Sequence, residues 1–153
     1  FDHILAVKDI CRAFPCKVYA GINEELLLQD PSLNLSGSMG SEQLGIEADV
    51  LVKDGDELSL IGFTWKVLET PGHTSGSVCY YVESEQALFS GDTLFADSLG
   101  RTDLPTGDMR AIVRSIQEKL FSLPADTMVY PGHGEATTIR HEQRYNPVAV
   151  YRG

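Results

Sequence analysis

Three apolar segments of the sequence end in a glycine that is followed at once by a residue able to bind a metal ion. These residues are His73, Asp92 and His133. Glycine tolerates unusual backbone dihedrals in a tight turn, and a strand behind the turn holds the following side chain in place. We therefore expect the three side chains to converge at one edge of a β-sheet.

An adjacent pair, Asp2 and His3, adds two further groups of the same chemistry. Imidazole nitrogens and carboxylate oxygens suit zinc or iron, and a carboxylate can bridge two ions about 3.5 to 4 Å apart. Taken singly, each glycine turn is more typical of a solvated histidine or a capped aspartate. Because three of the four histidines share the pattern, the set predicts a metal site of Asp2, His3, His73, Asp92 and His133, with Asp92 as the bridge.

The first part of the chain predicts short helices and a loop around one strand. A helix over residues 3–14 follows from one apolar stripe, formed by Ile4, Val7, Cys11 and Phe14. Residues 17–20 are a predicted strand and residues 24–28 a predicted short helix. The composition of residues 34–41, rich in serine and glycine, predicts a flexible loop.

From residue 50 onward, short apolar runs alternate with turn residues such as Asp54-Gly55 and residues 83–86, which favours hairpins. Strands are predicted over residues 58–61, 65–68, 77–82, 87–90 and 127–130. Asp108 is the predicted N-cap of a helix that runs to about residue 121, and Thr138 opens a last helix. The buried face of the long helix should hold Ile112, Val113, Ile116 and Leu120.

The composition predicts one α/β domain over residues 1–153, since 42% of the residues are hydrophobic. A formal charge of -10 disfavours nucleic acid and anionic membrane as partners. No apolar run approaches the roughly 20 residues that span a bilayer, and the three cysteines match no disulfide or zinc pattern. We expect a cytoplasmic protein, and the sequence leaves its oligomeric state open.

The motifs also carry a family resemblance over nearly the whole chain. Residues 1–3 (FDH) resemble the end of the His-x-His-x-Asp-His signature of the metallo-β-lactamase superfamily, and residues 70–77, 89–95 and 130–134 resemble its later motifs. Residues 91–95 and 100–108, with the ending 136–147, are similar to glyoxalase II-like hydrolases. The chain is thus identified as resembling a glyoxalase II-like member of that superfamily.

This resemblance implies a four-layer αβ/βα sandwich, with the first strands of the N-terminal half missing from this chain. It makes His73 a ligand of one metal ion, Asp92 the bridge, and Asp2, His3 and His133 the ligands of a second ion. Two histidines that would anchor the first ion should precede Phe1. We therefore expect two ions in the intact protein and at most one tightly bound ion in this chain, with zinc favoured over iron or manganese.

The activity that the resemblance implies is hydrolysis of a small hydroxyacyl-glutathione-like thioester by a metal-bound hydroxide. The catalytic role of Asp2 would be to help take up the proton of the attacking water. One alternative is an iron-dependent persulfide dioxygenase of the same superfamily, and another is an inactive fragment or interaction module. β-Lactam and lactone hydrolysis also occur on this fold.

Four further residues have weaker claims. Arg101 is a candidate for binding an anionic substrate, although pairing with Asp103 to fix a loop is the favoured interpretation. His141 lies inside the predicted last helix, off the strand-end pattern, and is excluded as a ligand. Cys79 alternates with strand residues and is predicted to be a small core side chain.

Overall fold

A computed structural model of the chain describes residues 1–39 and 43–151, which divide into a first unit, Phe1–Val52, and a second unit from Lys53 onward. The first unit contains three helices and a pair of short strands. A 3₁₀ turn at Asp2–Ile4 precedes α1 (Val7–Ala13), and β1 (Tyr19–Gly21) is followed by α2 (Glu25–Gln29) and α3 (Ser36–Met39). β2 (Val50–Val52) pairs with β1 in parallel.

The single helix predicted over residues 3–14 is wrong in its first part and in its buried face. A 3₁₀ turn has three residues per turn, so Ile4 falls out of phase with the α-helix that begins at Val7. The predicted stripe does not continue across this change, and Cys11 and Phe14 are exposed, Phe14 by 64%.

The flexible loop predicted over residues 34–41 is also wrong where the structure describes it. Asn34 is buried, its side-chain amide donates to the carbonyl of Leu44, and its Oδ1 accepts from the backbone N–H of Ser36. This last hydrogen bond satisfies a backbone donor at the start of α3, which is what a capping residue does. Gly40 and Ser41 lie outside the described residues.

The described part of the second unit contains one mixed sheet of six strands: β3 (Glu57–Leu60), β4 (Phe63–Glu69), β5 (Val78–Val82), β6 (Ala87–Gly91), β9 (Met128–Pro131) and β10 (Thr137–Thr138). Their order in the sheet is β10-β9-β6-β5-β4-β3. All neighbours are antiparallel except β6 and β9, which pair in parallel. A separate hairpin is formed by β7 (Leu94–Phe95) and β8 (Ser98–Leu99).

The predicted strands after residue 57 are confirmed within a few residues, but one predicted hairpin is wrong. The turn at residues 83–86 does join β5 to β6. Asp54-Gly55 joins no hairpin, because β2 pairs with β1 and β3 pairs with β4. The hairpin of β3 and β4 turns at Ile61-Gly62, where both residues have positive φ. The commonest two-residue hairpin turn requires this conformation.

The predicted long helix forms, with a change of winding in its middle. Asp108 caps it by accepting from the N–H of Ala111 at 2.9 Å, which confirms the predicted N-cap. α4 (Met109–Arg114) continues as a π-helix, Ser115–Lys119, and a 3₁₀ turn, Leu120–Ser122. The predicted buried face is confirmed, since all four of its residues lie in the core: Ile112, Val113, Ile116 and Leu120.

The rest of the second unit packs around this core. Cys79, Leu88 and Val129 are fully buried sheet residues that belong to it, so the prediction for Cys79 is confirmed. Burial raises the pKa of the Cys79 thiol to about 11. α5 (Ile139–Tyr145) begins after Thr138, whose hydroxyl accepts from the N–H of His141, as predicted. No helix in the described ranges is long and apolar enough to cross a membrane.

Gly72 is a position where both backbone and packing demand glycine. Its φ is +141°, and a Cβ there would overlap the backbone of Ile112. We expect Gly72→Ala to lower the free energy of unfolding by about 3 kcal/mol or more, measured by urea denaturation. The matched control is Gly62→Ala, where φ is +85° with no atom within 4 Å, and we expect a loss of about 1 kcal/mol. Equal losses at the two positions would contradict the role of the close approach.

Candidate metal centre

Three of the predicted ligands leave the sheet of the second unit at one edge. β4, β6 and β9 run in the same direction, because β6 pairs with β9 in parallel and a single antiparallel strand separates β4 from β6. His73 follows the end of β4, Asp92 directly follows β6, and His133 follows β9. The structure thus delivers these three residues from the carboxyl ends of three like-directed strands.

The three side chains meet around one carboxylate oxygen. His73 Nε2 lies 3.6 Å from Asp92 Oδ2, and His133 Nε2 lies 3.5 Å from the same oxygen. Ligands that share a tetrahedral ion at bond lengths of 2.0 to 2.1 Å are about 3.3 Å apart. The separations therefore suit side chains that bind a common cation. Asp92 and His73 are mostly buried, whereas His133 is 55% exposed.

A backbone hydrogen bond fixes which nitrogen of His73 faces the centre. His73 Nδ1 lies 2.8 Å from the carbonyl oxygen of Arg101. Since a carbonyl only accepts, Nδ1 carries the proton, so it is Nε2, on the side of Asp92, whose lone pair would bind an ion. Histidines that bind metals are commonly oriented by such a bond from the second ring nitrogen. The donor set of His73 and Asp92 therefore fits a divalent ion.

Gly100 explains how the Arg101 carbonyl comes so close to His73. A Cβ on Gly100 would overlap the carbonyl oxygen of Asp92 and would lie 3.3 Å from His73 Nδ1. Any larger residue at position 100 would force this segment away from Asp92 and His73. From the sequence, Gly100 has no predicted role beyond its place in the family motif.

Buried hydroxyl groups connect the turns behind the ligands. Thr70 Oγ1 and Thr93 Oγ1 share a hydrogen bond of 3.0 Å, and both side chains are almost fully buried. Thr70 opens the turn that leads to His73, and Thr93 directly follows Asp92. Ser115 Oγ, on the long helix, donates to the carbonyl of Pro71. The sequence does not predict these two contacts, since buried threonine and serine carry no distinctive spacing.

A fully buried carboxylate, Glu142, holds the β7–β8 hairpin that lies between Asp92 and Gly100 in the chain. Its two oxygens accept from the N–H of Asp97, the hydroxyl of Thr137 and the amide of Asn146. Asn146 also donates to the carbonyl of Ser98. This role could not be predicted from the sequence, because a glutamate in the first turn of a helix is typical of solvent-exposed positions.

Asp2 and His3 form the exposed 3₁₀ turn that precedes α1 in the first unit, and their role as ligands stays a prediction. His141 Nε2 contacts Asp97 Oδ1 at 2.7 Å. The exclusion of His141 from the ligand set stays a prediction.

Arg101 forms a two-pronged ion pair with Asp103, as the favoured interpretation of these residues predicted. Arg101 Nε and Nη2 donate to the two carboxylate oxygens of Asp103 at 2.7 and 2.8 Å. The hydrogen bonds from Arg101 lower the pKa of Asp103 to about 2, and the pKa of Arg101 is raised by the same contact. Both side chains are well exposed, so a role in substrate binding stays a prediction.

Comparison with known proteins gives consistent matches across the chain. Residues 1–133 match the family model described as metallo-beta-lactamase superfamily. The Bacillus subtilis (strain 168) protein named probable metallo-hydrolase YqgX is 43% identical over 148 residues, covering 96% of this chain and 70% of that protein. Hydroxyacylglutathione hydrolase GloC of Haemophilus influenzae is 41% identical over 153 residues, covering 95% of this chain and 70% of that protein.

Solved structures agree with these matches. BLEG-1 B3 metallo-beta-lactamase superposes with a TM-score of 0.92 at 42% identity, covering 99% of this chain and 73% of that one. TTHA1623, solved in a di-iron-bound form, superposes with a TM-score of 0.81 at 36% identity, covering 96% and 72%. The fold predicted from the family resemblance is confirmed.

Removal of the buried carboxylate should weaken the frame around the ligands. Glu142→Ala removes the acceptor of two buried donors, on Thr137 and Asn146, and of the partly buried N–H of Asp97, so we expect the free energy of unfolding to fall by about 3 kcal/mol or more. Glu142→Gln keeps one carbonyl oxygen and should cost about half as much. Urea denaturation measures both, with the exposed Glu118→Ala as the control. Equal stability of Glu142→Ala and Glu118→Ala would contradict the role of Glu142.

The Arg101–Asp103 pair predicts a defined pH response. Arg101→Gln removes the guanidinium, so the pKa of Asp103 should rise from about 2 toward the ordinary value of about 3.9. Because the folded pKa is the lower one, the stabilisation by this pair is present above about pH 4 and is lost as the pH falls toward 2. A carboxyl NMR titration measures the shift. The control is Arg140→Gln, which breaks the exposed pair with Asp126 and should leave Asp103 unchanged.

Proposed function

Because the chain belongs to the metallo-β-lactamase superfamily, we propose that it is a metal-dependent hydrolase that cleaves a small thioester of the hydroxyacyl-glutathione type. The single observation that carries the proposal is the convergence of His73 and His133 on Asp92, with the tautomer of His73 fixed by the Arg101 carbonyl. A histidine and carboxylate set on rigid strand ends is the arrangement that metal-assisted hydrolysis needs.

Each residue of such a site would have its own role. His73 and His133 would bind a divalent ion through Nε2, and Asp92 would bind it through Oδ2, the oxygen that both imidazoles face. When bound, that ion supplies Lewis acidity to water and to the carbonyl of the substrate. Asp2 and His3 would complete the ligand set, and Asp2 would accept the proton that the attacking water loses.

The choice of a thioester rests on similarity to a relative of that activity. GloC, which is 41% identical, is named a hydroxyacylglutathione hydrolase. The segment from Asp92 to Asp108 holds the residues on which the glyoxalase II-like resemblance depends, and it contains the Gly100 contact and the Arg101 carbonyl. These features support a substrate of the same class, with Arg101 as a candidate contact for its anionic part.

A second candidate is an iron-dependent persulfide dioxygenase of the same superfamily. The observation in its favour is the similarity to TTHA1623, which was solved with two iron ions. A ligand set of histidine nitrogen and aspartate oxygen, without thiolate, accepts iron as readily as zinc. The identity of the ion and the substrate must therefore be tested together.

The protein, loaded separately with zinc and with iron, should be assayed on S-lactoylglutathione, glutathione persulfide and a chromogenic β-lactam. We expect release of glutathione from the thioester, with His73→Ala and His133→Ala each lowering kcat/KM at least about 100-fold, the order of effect seen when a metal site is disrupted. Both variants should also lose bound metal by elemental analysis, because each lacks one imidazole. His141→Ala is the matched control and should keep both metal and activity.

Three outcomes would contradict the proposal of a thioester hydrolase. Oxygen uptake with glutathione persulfide, without turnover of the thioester, would favour the dioxygenase. Turnover of the β-lactam alone would assign the substrate class named for BLEG-1. Absence of both metal and turnover would favour the inactive fragment or interaction module.

A further inference from the structure

Cys11 and Cys16 lie together in the first unit and take no part in the proposed hydrolysis. Their sulfur atoms are 3.7 Å apart, both thiols are free, and both side chains are exposed. We propose that these two cysteines are a site of reversible disulfide formation, oxidised by an anionic low-molecular-weight disulfide such as glutathione disulfide.

The backbone between the two cysteines keeps the thiols close. α1 ends at Ala13, and the N–H of Cys16 donates to the carbonyl of Phe14 at 2.8 Å, which turns the chain back after the helix. Pro15 restricts the backbone of this short segment further. A disulfide needs a sulfur separation of about 2.05 Å, so the sulfurs must approach by roughly 1.7 Å. Rotation of two exposed side chains supplies that movement without disturbing a core.

The hydrogen bond between the thiols suggests an order of reaction. This bond, followed by desolvation, raises the pKa of Cys11, so the Cys11 thiol loses its proton less readily than an ordinary cysteine and reacts second. Cys16, as thiolate, attacks one sulfur of glutathione disulfide, which forms a mixed disulfide and releases one glutathione thiolate. Cys11 then loses its proton and attacks Cys16 Sγ, which releases the second. Two protein thiols and one glutathione disulfide give one protein disulfide and two glutathione thiols.

Local charge favours an anionic oxidant. The whole chain has a formal charge of -10, yet residues 8–17 contain Lys8, Arg12 and Lys17 against Asp9, which pairs with Arg12 at 3.1 Å. Asp49, whose charge also acts on Cys11, offsets part of this positive charge. Lys8 and Lys17, on either side of the two cysteines in the sequence, attract a reagent with carboxylates.

The test is exposure of the folded protein to glutathione disulfide, followed by intact mass measurement and peptide mapping. We expect the wild-type protein to lose about 2 Da, with the new bond between Cys11 and Cys16, and to recover its mass in excess reduced glutathione. Cys11→Ser should instead stop at a mixed disulfide on Cys16, a gain of about 305 Da, because the second attack is impossible. Cys16→Ser should react more slowly, at Cys11.

The buried thiol of Cys79 is an internal control in every sample and should stay unmodified while the protein is folded. Circular dichroism before and after oxidation verifies that the fold is intact. The proposal is overturned if the wild-type protein stops at a mixed disulfide or stays unmodified while Cys11→Ser reacts, or if Cys79 reacts as fast as the pair. None of these measurements depends on the metal or on hydrolysis.

Discussion

The parallel pairing of β6 with β9 is the contact on which the candidate site depends. Leu88 lies opposite Val129, and Gly91 lies opposite Pro131 after a local irregularity in the pairing. Parallel strands bring their carboxyl ends to the same edge of a sheet, so the residues that follow, Asp92 and His133, leave the sheet side by side. A hydrogen bond of 2.8 Å from Gly132 N–H to the carbonyl of Gly91 joins the two turns directly.

The same pairing determines the core beneath the site. Parallel neighbours need a long connection that crosses one face of the sheet, and here that connection contains the β7–β8 hairpin and the long helix. The helix buries Ile112 and Ile116 in the cluster that also contains Leu88 and Val129. Ser115, between them, donates to the carbonyl of Pro71. The residues that stabilise the sheet therefore also fix the turn before His73.

The sequence predicted features that depend on local chemistry. Capping by Asp108 and Thr138 involves only one side chain and the first turn of the helix that follows it. The buried face of the long helix is predicted by the spacing of its apolar residues. The convergence of His73, Asp92 and His133 was predictable because each follows an apolar strand and a glycine.

Features that depend on contacts between distant segments could not be predicted in this way. The burial of Glu142 needs donors from three other positions, and the hydrogen bond between Thr70 and Thr93 joins residues 23 apart. The apolar stripe predicted over residues 3–14 was wrong for a related reason, since no local pattern in the sequence indicates that a 3₁₀ turn precedes α1. The proximity of Cys11 to Cys16 likewise depends on the path of the chain after the helix ends.

Rigid support of the ligands has a consequence for how an ion would bind. The carbonyl of Arg101 orients the ring of His73, Gly100 allows that carbonyl to approach, and the hydroxyls of Thr70 and Thr93 connect the turns behind. Each of these contacts joins one part of the protein to another and so holds a ligand side chain or its turn in place. Side chains that are already oriented lose little conformational freedom on binding, so more of the interaction with the ion appears as affinity. In the neutral form of the ring, Nε2 of His73 and Oδ2 of Asp92 are both acceptors, so a cation between them would be bound by a lone pair from each.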